Sequence, residues 1–236
     1  ARPFDAKDRR PRVAVVVIDL GLSSAATEAA IRQFPGEVSL SFSPYAENLD
    51  RWVQRARGEG HEVLLNLPME PLNYPSTDPG PQTLLTSLSA RQNADRLEWV
   101  LGRANGGYVG VMAHLGSKFT TSAPSLKPVL ETLAARGLLY LDSRAHPQSL
   151  GPALAAELGL PRAANDRLVD QEPARAAIDA RLAEIERVAR ESGMAVALAS
   201  PLPITYERLN QWLGTLQGKG LALAPITAIA ARQFER

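Results

Sequence analysis

The stretch Val13-Ala14-Val15-Val16-Val17-Ile18 constrains this chain more than any other. It is an unbroken apolar run, mostly β-branched, with no polar residue at alternate positions. A strand with one wet face alternates, whereas a continuous run needs cover on both faces, as inside a parallel sheet. Parallel neighbours must be joined by a crossover, usually a helix. A chain built around this run is therefore expected to alternate strands with helices.

It does. Ser23 or Ser24 can cap a helix reaching about residue 34, which Pro35-Gly36 stops, and 38–42 reads as a second strand. A helix over about 47–57 carries Leu49, Trp52, Val53 and Ala56 on one face, and 62–65 reads as the third strand. Residues 67–88, rich in Pro, Ser and Thr, read as a long loop; such loops are usually functional or mobile. Ser89-Ala90-Arg91-Gln92 is a capping box opening the next helix. Strands are expected at 108–112 and 138–141, with a weak one near 162–164. The longest helix is expected over 172–192, with Pro173 at its start and Gly193 at its end. A strand at 194–199, a helix at about 205–216, a strand at 221–224 and a terminal helix follow.

Seven or eight strand–helix units without a break in composition predict a (β/α) barrel: seven or eight parallel strands with helices outside. Residues 13–236 read as one domain, and the polar, basic residues 1–12, with two prolines, as a linker or tail. No G-x-G-x-x-G or Walker-type loop follows the first strand, and no G-x-S-x-G occurs, which argues against nucleotide-binding sheets and α/β-hydrolases. Lys and Arg total 26 against 25 Asp and Glu, with no basic stripe, so nucleic acid is not an expected partner. With no cysteine, disulfides, thiolate metal sites and cysteine nucleophiles are excluded.

Ligand sites of parallel α/β folds lie past the carboxyl ends of the strands. Asp19, Asn66, Glu70, His114, Asp142 and Ser200 fall there. Asp, Glu and His together suit a divalent cation such as zinc, or a general acid and base. Each has a plainer reading. Asp19 can cap a helix, Glu70 can be a solvated loop residue, and Asp142-Ser143-Arg144 can be a local ion pair. His146 is either a mouth residue or an exposed one, and His61, at the start of its strand, reads as structural. The helical spacing of Trp52 and Trp212 favours core packing over a sugar platform.

Seven stretches, in order, resemble the divergent polysaccharide deacetylase family, remote relatives of the NodB-like carbohydrate esterases. They are Val-Ile-Asp-Leu-Gly-Leu at 17–22, Ser-Pro-Tyr-Ala at 43–46 and Gly-His-Glu-Val-Leu-Leu at 60–65. Leu-Pro-Met-Glu-Pro at 67–71, Asp-Pro-Gly-Pro at 78–81, His-Leu-Gly-Ser at 114–117 and Leu-Asp-Ser-Arg at 141–144 complete the set. The resemblance implies a distorted barrel and a divalent metal, zinc first, activating water to deacetylate a cell-envelope glycan or peptidoglycan-like substrate. Asp19, Glu70 and His114 would then surround the metal, with Asp19 and Asp142 catalytic and Arg144, Ser117 and His146 contacting substrate. It also implies a periplasmic or cell-envelope location, with a membrane anchor N-terminal to a linker at 1–12.

The chain departs from the pattern the resemblance implies. Leu20 stands where a second aspartate is expected, Asn66 and Glu70 where two metal histidines are expected, and Ser200 where a general-acid histidine is expected. Three functions are therefore weighed: a metal-dependent glycan deacetylase, a non-catalytic barrel binding a glycan or protein at the same mouth, and a cytosolic enzyme on a small metabolite.

Overall fold

The computed structural model describes residues 4, 5, 7–230 and 232–234. Part of the expected linker (1–3 and 6), and residues 231, 235 and 236 of the expected domain, lie outside the described residues. The strands are β1 (Arg12–Leu20), β2 (Ser39–Phe42), β3 (Val63–Met69), β4 (Gly110–Leu115) and β5 (Leu139–Asp142). They continue with β6 (Arg162–Ala164), β7 (Arg167–Leu168), β8 (Met194–Ala199) and β9 (Ala222–Leu223). The helices are α1 (Ser24–Gln33), α2 (Leu49–Gly58), α3 (Ala90–Leu101), α4 (Ala123–Ala135), α5 (Gly151–Glu157), α6 (Arg175–Ser192), α7 (Pro203–Leu213) and α8 (Thr227–Ala230).

The strands form one parallel sheet in the order β6-β5-β4-β3-β2-β1-β8-β7, with β9 against the start of β1. β6 and β7 stand at opposite ends of that path yet belong to one stretch of chain, 162–168, which leaves β5 and joins β8. The sheet therefore curls back on itself, giving the expected distorted barrel.

Strand alternation sorts the core into two layers. Val13, Val15, Val17, Val63, Leu65, Leu67, Val111 and Ala113 face the surrounding helices. Ala14, Val16, Ile18, Leu64, Met112, Leu139, Leu141, Val196 and Leu198 fill the barrel interior. β1 is thus covered on both faces, as its composition demands. Ile226, Ile229 and Ala230 join the interior cluster. The segment carrying them is pinned where Ile226 N donates to Ser39 Oγ (3.1 Å) and Thr227 N to Glu62 Oε2 (3.0 Å). Ser39 and Glu62 lie at the N-terminal ends of β2 and β3, so this segment closes the end opposite the mouth.

Several local expectations hold. The Ser89 capping box is present on α3, Ser23 caps α1, and Gly193 ends α6 at φ 74°. Others need correction. β1 begins at Arg12, so the expected tail contributes its last residue to the sheet, and α6 begins at Arg175 rather than 172. β3 runs through Pro68 to Met69. Pro68 O accepts from Leu84 N (2.9 Å) and Leu84 O accepts from Glu70 N (2.9 Å). The N–H that proline lacks would point to that same side, beyond the end of β2, so no ladder bond is lost. The expected loop 67–88 is accordingly anchored, with Leu84 fully buried and bridged to Met69.

Where β6 gives way to β7, side chains replace the ladder. Gln233 accepts from Ala164 N (2.7 Å) and donates to Ala164 O (2.9 Å), while Asp166 accepts from Val196 N (2.8 Å). Burial pushes the Asp166 carboxyl above its ordinary value of 3.8, against the opposing effects of the Val196 N–H and of Arg144 and Arg167. With a raised folded value, the folded state holds the extra proton, so stability is lost as pH climbs above 3.8. Asp166→Asn removes that loss. Urea midpoints taken from about pH 3.5 to about pH 7 should shift in favour of the variant as pH rises; a pH-independent difference would contradict this.

Candidate functional site

At the mouth, inward-facing positions of three strands meet. Ser41 of β2, Asn66 of β3 and His114 of β4 share the inward parity of Ser39, Leu64 and Met112 on the same strands. Asp19 would by alternation face the helices, like Val13, Val15 and Val17. Its φ of 57° and the register irregularity between Val17 and Leu20 carry it to the mouth instead. Gly21 follows at φ 93°, packed so that a Cβ there would lie 2.4 Å from Ala46 Cβ. The loop after β1 is thus held in one place by backbone geometry.

These residues form a chain of contacts. Ser41 Oγ donates to Asn66 Oδ1 (2.5 Å), Asn66 Nδ2 donates to Asp19 Oδ1 (2.5 Å), and His114 Nδ1 lies 3.2 Å from that same Oδ1. Asn66 is 2 % exposed, whereas the Asp19 and His114 side chains are 33 % and 23 % exposed. A buried amide therefore holds an open carboxylate–imidazole pair at the mouth. Ser23, not Asp19, caps α1, which leaves the Asp19 carboxylate to this network.

Glu70 makes its contacts elsewhere. It accepts from Lys118 Nζ (2.8 Å) on Oε1 and from Thr86 N and Oγ1 (both 2.6 Å) on Oε2, with its backbone oxygen taking Lys118 N and Phe119 N. Ser117 Oγ accepts from Leu72 N (2.9 Å). Glu70 and Ser117 together tie the loop after β3 to the loop after β4, forming the rim.

Asp142 falls on the other side of the sheet. Leu139 and Leu141 of β5 point into the barrel, so Tyr140 and Asp142 point to the helices. Asp142 is 1 % exposed and accepts from Tyr140 Oη (3.0 Å), Ser149 Oγ (2.6 Å) and Arg144 N (2.7 Å). Burial, and then the Asp142 carboxylate, push the Tyr140 phenol well above its ordinary value, so it stays a donor. The structure thus does not bring Asp142 into contact with Asp19 or His114. Arg144 (φ 50°) reaches Asp166, 3.5 Å away, and half-buried His146 accepts from Gln148 N on Nδ1 (3.1 Å). Ser200 lies beside buried Asp170, which accepts from Ser200 N (2.7 Å), Ser200 Oγ (3.0 Å) and Thr205 Oγ1 (2.8 Å). His61 is fully buried with its ring nitrogens 2.7 Å from Val38 O and 3.1 Å from Ile31 O, at the closed end, as expected of a structural residue.

Two depressions flank the Asp19 loop, with Leu22 bordering both. A groove of about 710 Å³ between α1 and α7 includes Asp19, Ala26, Ala29, Pro203 and Tyr206. A pocket of about 540 Å³ beside α2 includes Tyr45, Arg51, Trp52 and Arg55. The sequence pointed away from Trp52 as a site residue. It packs against the core yet is only partly buried, whereas Trp212 is buried with its Nε1 on Glu186 (2.8 Å).

The residues present do not fit a three-ligand catalytic zinc site. Asp19 and His114 are suitable donors, but between them Asn66 presents an N–H, not a lone pair, and its oxygen is taken by Ser41. No grouping of three or more His, Asp or Glu side chains suited to a metal occurs among the described residues.

A parallel sheet that curls back on itself, with a polar, carboxylate-bearing mouth, is a distorted barrel of the deacetylase-like kind. The chain belongs to the divergent polysaccharide deacetylase family, whose model matches residues 15–230. It is similar to an uncharacterized protein of Agrobacterium tumefaciens C58, with 39% identity, a TM-score of 0.93, and 97% of this chain and 92% of that one covered. It shares its fold with the catalytic domain of a peptidoglycan N-acetylglucosamine deacetylase from Eubacterium rectale (12% identity, TM-score 0.57, 92% and 88% covered). It also shares it with a CE4 family pseudoenzyme from Bacillus anthracis (13% identity, TM-score 0.52, 94% and 66% covered).

Proposed function

We propose that this barrel binds a cell-envelope glycan at its mouth and does not hydrolyse it through a resident metal. The observation that carries the reading is the Asn66 amide, whose N–H faces the Asp19 carboxylate where metal chemistry needs another lone-pair donor. What remains is a recognition surface. An open carboxylate and an imidazole, held by buried partners, can exchange hydrogen bonds with sugar hydroxyls and acetamido groups. Family membership and the peptidoglycan deacetylase sharing the fold support a glycan as the ligand. This reading carries with it a periplasmic or envelope location, which fractionation of the source cells tests.

The test combines three measurements on protein purified without chelator: divalent-metal content, acetate release from acetylated chitooligosaccharides, and calorimetric binding of the same oligosaccharides. The expected result is binding, weakened at least about tenfold in His114→Ala, without acetate release or stoichiometric metal. Stoichiometric metal with acetate release would overturn the reading.

One observation favours a second reading. Asp19 Oδ1 and His114 Nδ1 are 3.2 Å apart, an arrangement that can draw a proton from water and direct attack on an acetyl carbonyl. Acetate release that persists in chelator and disappears in both Asp19→Asn and His114→Ala would select it.

A further inference from the structure

The pocket beside α2 differs chemically from the groove beside Asp19. Its walls carry two guanidinium groups, Arg51 and Arg55, against one carboxylate, Glu47. Arg55 is partly neutralised by Glu28 (2.6 Å), but that carboxylate is shared with Arg32 (2.6 Å). Arg51 is exposed, and its side chain has no ion pair or hydrogen bond among the described residues. Asn48, at the start of α2 with φ 52°, lines the same pocket and makes no side-chain cap to the helix. Trp52 supplies a flat wall, with the Arg55 guanidinium 5.5 Å from its ring centroid. Two forks and an aromatic face suit a sugar-sized ligand with a negative charge, because a guanidinium pairs in two places with a carboxylate or phosphate.

The pocket adjoins the groove that holds Asp19. Leu22 borders both the pocket and the groove holding Asp19, and it stands 65% exposed between them. A chain of sugars with one unit over Asp19 and His114 would lay a neighbouring unit across Leu22 into the pocket.

We propose that this pocket is a subsite for a sugar unit bearing a carboxylate or phosphate, adjacent to the unit seated over Asp19 and His114. The proposal rests on the glycan-binding reading above and adds the charge of the ligand. Calorimetry with three oligosaccharides of equal length tests it: neutral chitooligosaccharide, a uronate-bearing one and a phosphorylated one. At least one anionic ligand should bind about tenfold more tightly than the neutral one, with the separate arms identifying which anion. In Arg51→Gln the anionic-to-neutral ratio should fall to near one, and Arg51→Lys should restore part of it. Arg51 is exposed, so the wild-type melting temperature should persist in both variants. Neutral glycan binding without an anionic preference overturns the subsite and leaves the glycan reading standing, as does a preference that survives Arg51→Gln. Failure of all three ligands to bind overturns both.

Discussion

Glu70→Ala should lower the melting temperature by roughly 6–12 °C, a loss of about 3 kcal/mol for a chain of this size. The Glu70 carboxylate is 5% exposed and accepts three hydrogen bonds, one from Lys118 and two from Thr86. Truncation leaves the Thr86 N–H and hydroxyl without their acceptor and unties the two rim loops. Much of the Lys118 ammonium's attraction is screened, since its side chain is 47% exposed, and the lost Thr86 bonds account for most of the cost. Burial by itself would raise the Glu70 carboxyl, but the Lys118 and Thr86 bonds outweigh it and hold the group below 4.5. Its stabilising contribution is therefore complete above 4.5 and lost as pH falls through the lowered folded value. Thermal unfolding across the acid range should show the gap between wild type and variant closing on acidification. A wild-type melting temperature for Glu70→Ala at neutral pH would mean that the carboxylate is not a structural tie.

If Asn66 is what keeps cations out of the mouth, Asn66→Asp should turn that network into a cation site. The substitution replaces an N–H 2.5 Å from Asp19 Oδ1 with a second carboxylate oxygen. Without metal the cost is about 2–3 kcal/mol, from a lost hydrogen bond to a charged group and repulsion between two carboxylates. With divalent cation present, Asp19, His114 and the introduced carboxylate become three converging donors. A cation at about 100 times its dissociation constant returns about 2.7 kcal/mol. The expected observation is a lowered melting temperature that zinc or manganese restores, alongside a wild type that neither ion shifts. If wild type and variant respond equally, Asn66 is not what keeps cations out.

Much of the architecture could be read from residue order because it depends on local rules. The β1 run requires cover on both faces, and the layers on either side of it provide that cover. The site was less legible, for reasons of parity and backbone sign. Asp142 and His114 both end strands, but two-residue alternation puts one among the helices and the other at the mouth. That signal was available: Asp142 alternates with Leu141, while His114 keeps step with Met112. Asp19 reaches the mouth only through a positive φ that no residue type announces, although Asp tolerates it better than most. Pro68 read as the start of a loop because proline usually stands outside ladders. The ladder tolerates it here since its neighbour on that side, β2, has already ended. The Glu70–Lys118 pairing spans 48 residues and depends on two loops meeting, which no periodicity reports.

The junction between β6 and β7 has a consequence for how the protein behaves in a crowd. Every open sheet presents two rows of unpaired peptide groups, and such rows recruit strands from other chains. Here both rows belong to one short stretch, and the side-chain amide of Gln233 covers the exposed peptide of Ala164 as a neighbouring strand would. Barrel closure therefore leans on two side chains at this junction, Gln233 against Ala164 and Asp166 against Val196. Loosening that junction is expected to expose an adhesive edge before the core unfolds, which makes self-association, rather than lost secondary structure, the expected first failure of this fold.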